Sequence, residues 1–336
     1  AGGGGGGRGC KAGPGRALYY LAVAAAFAGA YAGPYLGGRA VGPALLALGG
    51  WLCGSFGHDG SHFAISRRRP FLNALGTLGM APITSPFVWM HQHTYAHHSF
   101  TNDFGRDPDL HHFSFLRAHP RYPWVQRYRP QRGRLYVYTW YLFVVLGAAL
   151  WLPLKALATG TLHGVTDLRR GGGAHRARVI IHIIVFIWAI FIQPCFYMEV
   201  HIAIFKGMQY LCFAGLLFGF FSQVNHLDDH SISAAEKKTT NKSWAAMQVE
   251  TSNNFCPGSR AWAWLSNGLN LQIEHHLFPG VNHAHLPLLR PVVLRTCREF
   301  GVDYRSYPTA GAILGATAKY YKNLASPLYS GASNPN

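Results

Sequence analysis

The residues best equipped for chemistry in this chain are histidines, and they come in groups. The stretch Gln92 to Leu110 reads QHTYAHHSFTNDFGRDPDL and places His93, His97 and His98 within six residues. On an α-helix His93 and His97, four apart, share one face at about 5–6 Å between Cβ atoms. His98 then points elsewhere and could serve a second ion or a second coordination position. A second group, HDGSH, contributes His58 and His62. This H-x3-H pair alone is weak, since one such spacing arises by chance about once at this histidine content. A third group, Gln272 to His276 (QIEHH), repeats the tandem histidines as His275 and His276. Asp59 and Glu274 sit beside ligand-type histidines and could orient them through hydrogen bonds, or could be a helix cap and a surface acid. Imidazole suits iron, zinc, copper and nickel alike, so these groups say metal without saying which.

The elements that hold them are apolar. Charged residues make up 13% of the 336 and aromatics 14%, against about 25% charged in ordinary globular domains. The charge is lopsided, 30 Lys+Arg against 13 Asp+Glu. Few charges and long apolar runs indicate an integral membrane protein, with the basic residues in loops facing anionic headgroups. Nucleic-acid binding is set aside, because the basic residues lie between apolar runs and form no stacking platform. The six cysteines form no CxxC pair and read as reduced, partly buried thiols.

Residues 1–15 read as a Gly-rich linker or trimmed N-terminus, residues 16–310 as one membrane domain and residues 311–336 as a tail. Ala17–Leu36 and Val41–Phe56 predict a transmembrane hairpin, each run being long enough for a ~30 Å hydrocarbon core. Leu72–Met90 contains Pro82 and Pro86 and predicts a helix near the interface. Leu135–Leu154 is flanked by arginines on one side and by Lys155, Arg169, Arg170, Arg176 and Arg178 on the other, which predicts an interfacial or re-entrant segment. Val179–Val200 and Met208–Gln223 form the second hairpin. The expected fold is therefore all-α, with four transmembrane helices in two hairpins, interfacial helices and a cytoplasmic histidine-rich cap. A six-span alternative counts Leu72–Met90 and Leu135–Leu154 as a further hairpin.

On the four-span topology His226, in QVNH just past the fourth span, lies on the same side as the three groups and joins them. His230 is a weaker candidate. His91, His111, His112, His119, His163, His182, His201, His283 and His285 lack such pairing and are set aside. Eight imidazoles remain: His58, His62, His93, His97, His98, His226, His275 and His276. They are too many for one zinc ion, which takes about four ligands, and enough for two octahedral-type ions with open positions. A redox metal beside apolar helices points to oxidation of a greasy substrate, and iron with oxygen is the economical choice.

HDGSH, QHTYAHH and QIEHH, in that order, resemble the three histidine boxes of the membrane fatty-acyl desaturases. FTND and DPDL after the second box, Trp244 and ETSNN before the third, and GLNLQIEHHLFP with VNHAHLP around it extend the resemblance over about residues 41 to 290. Gln272 at the head of the third box, where other desaturases have His, resembles the front-end, cytochrome b5-dependent subclass. The resemblance implies a non-haem diiron centre and a cis double bond inserted between the carboxyl end and an existing double bond of a polyunsaturated acyl chain. It also implies dioxygen, electrons from cytochrome b5, and an acyl-CoA or acyl-lipid substrate. It implies that the eight histidines above are the iron ligands and that Gln272 has a catalytic part. No HPGG motif occurs, so a fused cytochrome b5 domain is expected to have been removed with the N-terminus, or the donor to be a separate protein. The endoplasmic reticulum membrane is the expected location, with a plastid membrane as alternative.

A sphingolipid long-chain-base desaturase or an acyl hydroxylase would share the same diiron scaffold. A membrane metal carrier would need histidines along a path across the bilayer, and a zinc hydrolase would need HExxH or a carboxylate ligand set. The sequence has neither pattern.

Overall fold

The computed structural model describes residues 9–111, 115–162, 166–170, 173–236 and 243–329. Residues 1–8 of the expected linker, His112, His163 and residues 330–336 of the expected tail lie outside them. The chain divides into two compact units, residues 1–94 with 141–219 and residues 95–140 with 220–336.

The first unit is built on apolar helices. Helix α1 (Pro14–Tyr35) starts on Pro14, at a position where no backbone N–H is needed. Its last turn, Tyr31–Tyr35, contains Pro34 and widens to a π-type winding. The chain reverses at Gly38, whose φ of 66° is left-handed, and α2 (Gly42–Ser61) packs back along α1. Helix α3 (Pro70–Thr77) lies against α2. Then come α4 (Met90–His97), α5 (Tyr136–Thr159), α6 (Ala174–Phe196) and α7 (Val200–Gln223), of which residues 95–97, 136–140 and 220–223 belong to the second unit. Strands β1 (Thr161–Leu162) and β2 (Thr166–Asp167) pair antiparallel between α5 and α6. Val88, Ala156, Leu162, Leu168, Val179 and Ile183 form a core cluster.

A second π-type turn, Trp188–Ile192 in α6, frees carbonyls from the helical ladder. Tyr31 Oη donates to Ala189 O and Tyr35 Oη to Ile190 O, both at 2.7 Å. Lys206 Nζ donates to Arg39 O at 2.9 Å. Polar tips on apolar helices thus tie the end of α1 to α6 and the α1–α2 turn to α7.

Among the described residues four helices, α1, α5, α6 and α7, are long and apolar enough to cross a membrane. At 22–24 residues and 1.5 Å per residue, each exceeds a ~30 Å core. The expected number is met, but its membership differs at one place. The expected interfacial segment Leu135–Leu154 is the body of α5, a 24-residue apolar helix; the arginines flanking it bear on sidedness and not on length. The expected span Val41–Phe56 is the body of α2, which has six glycines and ends in His58, Asp59 and Ser61. Those residues dilute its apolar character, and α2 is not among the four.

The glycines of α2 have another use. A Cβ on Gly57 would meet Met80 N at 2.5 Å, and one on Gly60 would meet Thr77 N at 2.5 Å and Asn73 O at 2.6 Å. The reciprocal positions are equally tight: a Cβ on Gly79 would lie 2.6 Å from Cys53 O. Backbone therefore packs on backbone along α2 and α3, and this seats the histidine-bearing end of α2.

The second unit carries shorter elements: α8 (Trp244–Glu250), α9 (Gln272–Leu277), α10 (Leu286–Glu299) and α11 (Ala310–Leu324). Ser243 Oγ caps α8 by accepting from Ala246 N at 3.2 Å, and Thr309 Oγ1 caps α11 at 3.1 Å. Val249, Ile273, Val293 and Cys297 form the core between α8, α9 and α10. Strand β3 (Asn254–Phe255) pairs in parallel with β4 (Ser306–Tyr307). The Arg117 guanidinium pins the end of α11 by donating to the carbonyls of Leu324 and Ser326, both at 3.1 Å.

Gly60→Ala should destabilise the protein by about 1–3 kcal/mol, the cost of overpacking. Gly29→Ala in α1, where a Cβ meets nothing within 4 Å, should be neutral or stabilising by up to about 1 kcal/mol. Thermal unfolding of both purified variants in detergent checks the contrast; equal melting temperatures would sink the close-packing argument.

Candidate metal centre

Each unit gathers its own buried imidazoles. In the first, α2 presents His58 and His62, and α4 presents His93. Their ring centroids are 4.7 Å (His58–His62), 5.2 Å (His58–His93) and 5.2 Å (His62–His93) apart. His58 Nε2 and His93 Nε2 face each other at 3.2 Å. Trp89 stacks on His93 at 4.1 Å, and its Nε1 donates to Ser61 Oγ at 3.3 Å, which fixes the ring plane of His93. Asp59 accepts from Tyr20 Oη, so this carboxylate braces α1 against α2.

In the second unit His97, His226 and His276 form a trio whose ligand atoms all lie within 4.8 Å of one another. All three are buried. Their tautomers follow from their partners. His226 Nδ1 lies 3.0 Å from Thr251 O, which can only accept. His97 Nδ1 lies 3.0 Å from the Asp107 carboxylate and 3.5 Å from that of Asp109. His276 Nδ1 lies 2.8 Å from Gln248 Oε1, and that amide's orientation is set because its Nε2 donates to His98 O at 3.0 Å. Each ring therefore carries a proton on Nδ1, and each turns its Nε2 edge inward. Beside the trio, His98 Nε2 and His275 Nε2 are 3.0 Å apart, and His98 stacks on His276 at 4.2 Å. Gln272 Nε2 stands 3.0 Å from His226 Nε2.

Metal–imidazole bonds of about 2.1 Å place neighbouring ligand atoms on one octahedral ion about 3.0 Å apart. The facing nitrogens at 3.2 Å and 3.0 Å match that edge. Burial favours the neutral, ligating form of imidazole. It drives His226 down to about 3, helped by the charge of His97 and opposed by the Thr251 carbonyl. Burial acts the same way on His97, but Asp107 and Asp109 overcome it and raise that ring to about 9. Two carboxylates at one edge of the trio supply the negative potential a cation needs. The donor set fits a metal.

The winding of α4 departs from the α-helix expected for the second group. Met90–His97 is wound i→i+5, which makes positions i+4 and i+5 the neighbours of i. Tandem histidines suit that winding, and the expected separation of His98 from His93 does not apply to it.

The partners of several neighbouring polar residues are set only by the fold. Asp107 accepts from Asn102 N at 2.7 Å and Asp109 N at 2.9 Å as well as facing His97. Glu274 is fully buried, taking Asn254 Nδ2 at 2.8 Å and Tyr304 Oη at 2.7 Å, so it is not a surface acid. Asn254 Oδ1 also accepts from Ile273 N at 2.9 Å, which anchors the start of α9 to β3. His230 faces Asp303 at 3.5 Å and stays out of the trio. Among the described residues, none of the histidines set aside belongs to a group that could hold an ion.

Residues 37–308 match the profile of the family described as fatty acid desaturase. The chain is 32% identical over 287 residues to the acyl-lipid (8-3)-desaturase of Physcomitrium patens, covering 80% of this chain and 57% of that protein. It is 31% identical to the acyl-lipid (7-3)-desaturase of Rebecca salina, over 81% of this chain and 61% of that one. It is 27% identical to the sn-1 linoleoyl-lipid 6-desaturase of Synechocystis, over 80% and 75% respectively. The chain thus spans less than two thirds of the first and second of these relatives. No solved structure matches it.

Asp107→Ala should lower metal affinity about 10–100-fold, the usual cost of removing the partner that orients a ligand. Elemental analysis after dialysis against graded chelator checks this; unchanged metal retention would show that Asp107 does not orient His97 as a ligand.

Proposed function

The chain belongs to the fatty acid desaturase family, and from that premise we propose that it is a front-end fatty-acyl desaturase. It inserts a cis double bond between the carboxyl end and an existing double bond of a polyunsaturated acyl chain. The overall change takes two hydrogens from adjacent methylenes, consumes one dioxygen and two electrons with two protons, and releases two waters. Electrons come from cytochrome b5, fused or separate. The catalytic domain is residues 16–310, in the endoplasmic reticulum membrane.

The metal is two non-haem iron ions, held by His58, His62, His93, His97, His98, His226, His275 and His276. When bound, iron supplies the redox chemistry with dioxygen. The chain's own residues do the rest. Asp107, Thr251 O and Gln248 keep the Nδ1 protons of His97, His226 and His276 in place, so that their Nε2 atoms stay available. Gln272 stands beside one of those ligand atoms, its amide nitrogen 3.0 Å from His226 Nε2, and takes the catalytic role expected of it. Apolar helix surfaces hold the acyl chain against the centre.

The observation that carries this reading is the trio in which three imidazoles, buried together, have their Nδ1 atoms tied to three different acceptors. A sphingolipid or hydroxylase reading has no observation in its favour here. The names of the relatives, which are acyl-lipid desaturases, support the acyl reading.

Yeast expressing the chain with a cytochrome b5 donor, fed polyunsaturated fatty acids, should yield a new methyl ester with one further double bond by gas chromatography. His276→Ala should remove that product, whereas His201→Ala, at an exposed site, should keep it. No new product from any fed acid would count against the desaturase assignment, and product from His276→Ala would remove that residue from the ligand set.

A further inference from the structure

We propose that the cleft lined by Lys11, Tyr20, Ser66, Arg67, Arg68 and Arg69 receives the phosphate of the acyl carrier and so fixes the carboxyl end of the chain. The proposal rests on the desaturase reading and names the part of the substrate that the histidines do not touch.

The cleft lies wholly in the first unit and has a volume of about 670 Å³. That is the size of a small-ligand site, roughly 300–1,000 Å³. A folded protein partner would instead need a face of about 800 Å². Four cationic side chains line it, and no carboxylate does among the described lining residues. Arg67, Arg68 and Arg69 are exposed and form no ion pair with any described residue. Arg16 adds a fifth cation nearby, its guanidinium 5.0 Å from the ring centroid of Tyr20. Burial lowers the pKa of Lys11 and Arg67 adds to this, against the opposing effects of Cys10 and Asp59. Like charges gathered this way repel each other until an anion joins them.

The walls are held in shape, unlike a loose basic loop of the kind that charge asymmetry across membranes produces. Buried Asn73 clamps the base of the arginine run: its Oδ1 accepts from Ile65 N and Ser66 N, both at 3.1 Å, and its Nδ2 donates to Ser66 O at 2.6 Å. Arg69 N donates to Ser66 Oγ at 3.1 Å. On the opposite wall, Ala12 N donates to Ile65 O at 3.2 Å and Lys11 Nζ to Phe63 O at 2.9 Å. Guanidinium groups on so fixed a base suit a phosphate, which they can grip bidentately.

The location gives the site its use. Arg67 follows His62 by five residues, and Tyr20 on the cleft wall donates to Asp59, which adjoins His58. An enzyme that counts carbons from the carboxyl end must hold that end at a fixed place relative to its metal ligands. Glycerophospholipids and coenzyme A thioesters both carry phosphate on the carboxyl side of the chain, the first across the glycerol and the second across the pantetheine arm.

The test uses the full chain in phosphate-free maltoside micelles. Dihexanoyl-phosphatidylcholine, coenzyme A and inorganic phosphate are titrated separately by calorimetry, and iron content is measured alongside. The variants are Arg67→Ser/Arg68→Ser/Arg69→Ser and the charge-retaining Arg67→Lys/Arg68→Lys/Arg69→Lys. The serine variant should bind the preferred carrier at least about tenfold more weakly and show KM raised by a similar factor, with kcat and iron content unchanged and with partial recovery in the lysine variant. Tighter binding of the lipid or of coenzyme A decides between the two carriers. Affinity and KM within about twofold of wild type would overturn the proposal. So would equal affinity for inorganic phosphate and both carriers, which marks an adventitious anion site, or a loss confined to the rate of reduction by cytochrome b5, which assigns the arginines to the electron donor. Arginine-dependent carrier binding in a protein that desaturates no acyl chain would keep the headgroup site and remove the desaturase reading.

Discussion

A buried imidazole can serve as a ligand only if it is neutral and if its lone pair points at the ion. Burial secures the first condition and hydrogen bonding the second. The second unit meets the second condition at three rings at once and the first most plainly at His226, whereas His97, raised by Asp107 and Asp109, has to give up its Nε2 proton for an ion to bind. The unit's acceptors for the Nδ1 protons are chemically unlike: a carboxylate from Asp107, a main-chain carbonyl from Thr251 and a side-chain amide from Gln248. None of these is adjustable on its own, because each is held in turn. Asp107 is fixed by two backbone N–H groups, Gln248 by the His98 carbonyl, and Thr251 by its place at the end of α8. Moving any one of them would swing a ring.

The cost of assembling so many polar groups away from water is met by making almost every one of them a partner. Glu274 illustrates this. Burial raises its pKa, yet Tyr304 and Asn254 both donate to it, and Asn254 is itself set by the β3–β4 pairing and by the Ile273 amide. The short parallel pair of two-residue strands thus has a purpose out of proportion to its size. It places the amide that places α9, and α9 carries Gln272, His275 and His276. In the first unit the same task falls to glycine, because α2 can bring His58 and His62 to their positions only by lying backbone against backbone on α3.

What was legible in the sequence was the part in which chemistry dictates residue type. Metal ligation demands histidine, and the spacings of HDGSH, QHTYAHH and QIEHH were visible without any fold. His226 was reachable through topology, since a helix end next to the other groups is an unusual place for a lone imidazole. The orienting groups were not legible, because Asp, Gln and a backbone carbonyl serve interchangeably as acceptors and are common everywhere. DFGRDPDL is the clearest case: its spacing carries no period, and only the turn that folds Asp107 back on Asn102 and His97 gives it a meaning. The spans were half legible. Apolar length told correctly how many of the described helices could cross a membrane, though α5 is one of the four and α2 is not, and the glycines of α2 signalled close packing more than they signalled lipid. The π-type winding of α4 leaves no trace in composition at all.

The coupling of α2 to the arginine run adds a constraint that neither feature has alone. Asp59 is one residue from His58, and it engages Tyr20, a wall of the basic cleft. Asn73 of α3 fixes the loop that carries Arg67 to Arg69, while its neighbour Thr77 meets the Gly60 backbone. The cleft and the ligand-bearing end of α2 therefore share the same two supports, α1 through Tyr20 and α3 through Asn73. A distance shared between two rigid supports is conserved through small motions of either, which is what an enzyme needs if it is to choose one carbon pair by counting from an anchored end. The close packing at Gly57 and Gly60 then has a second consequence beyond stability: it keeps the length of that ruler constant.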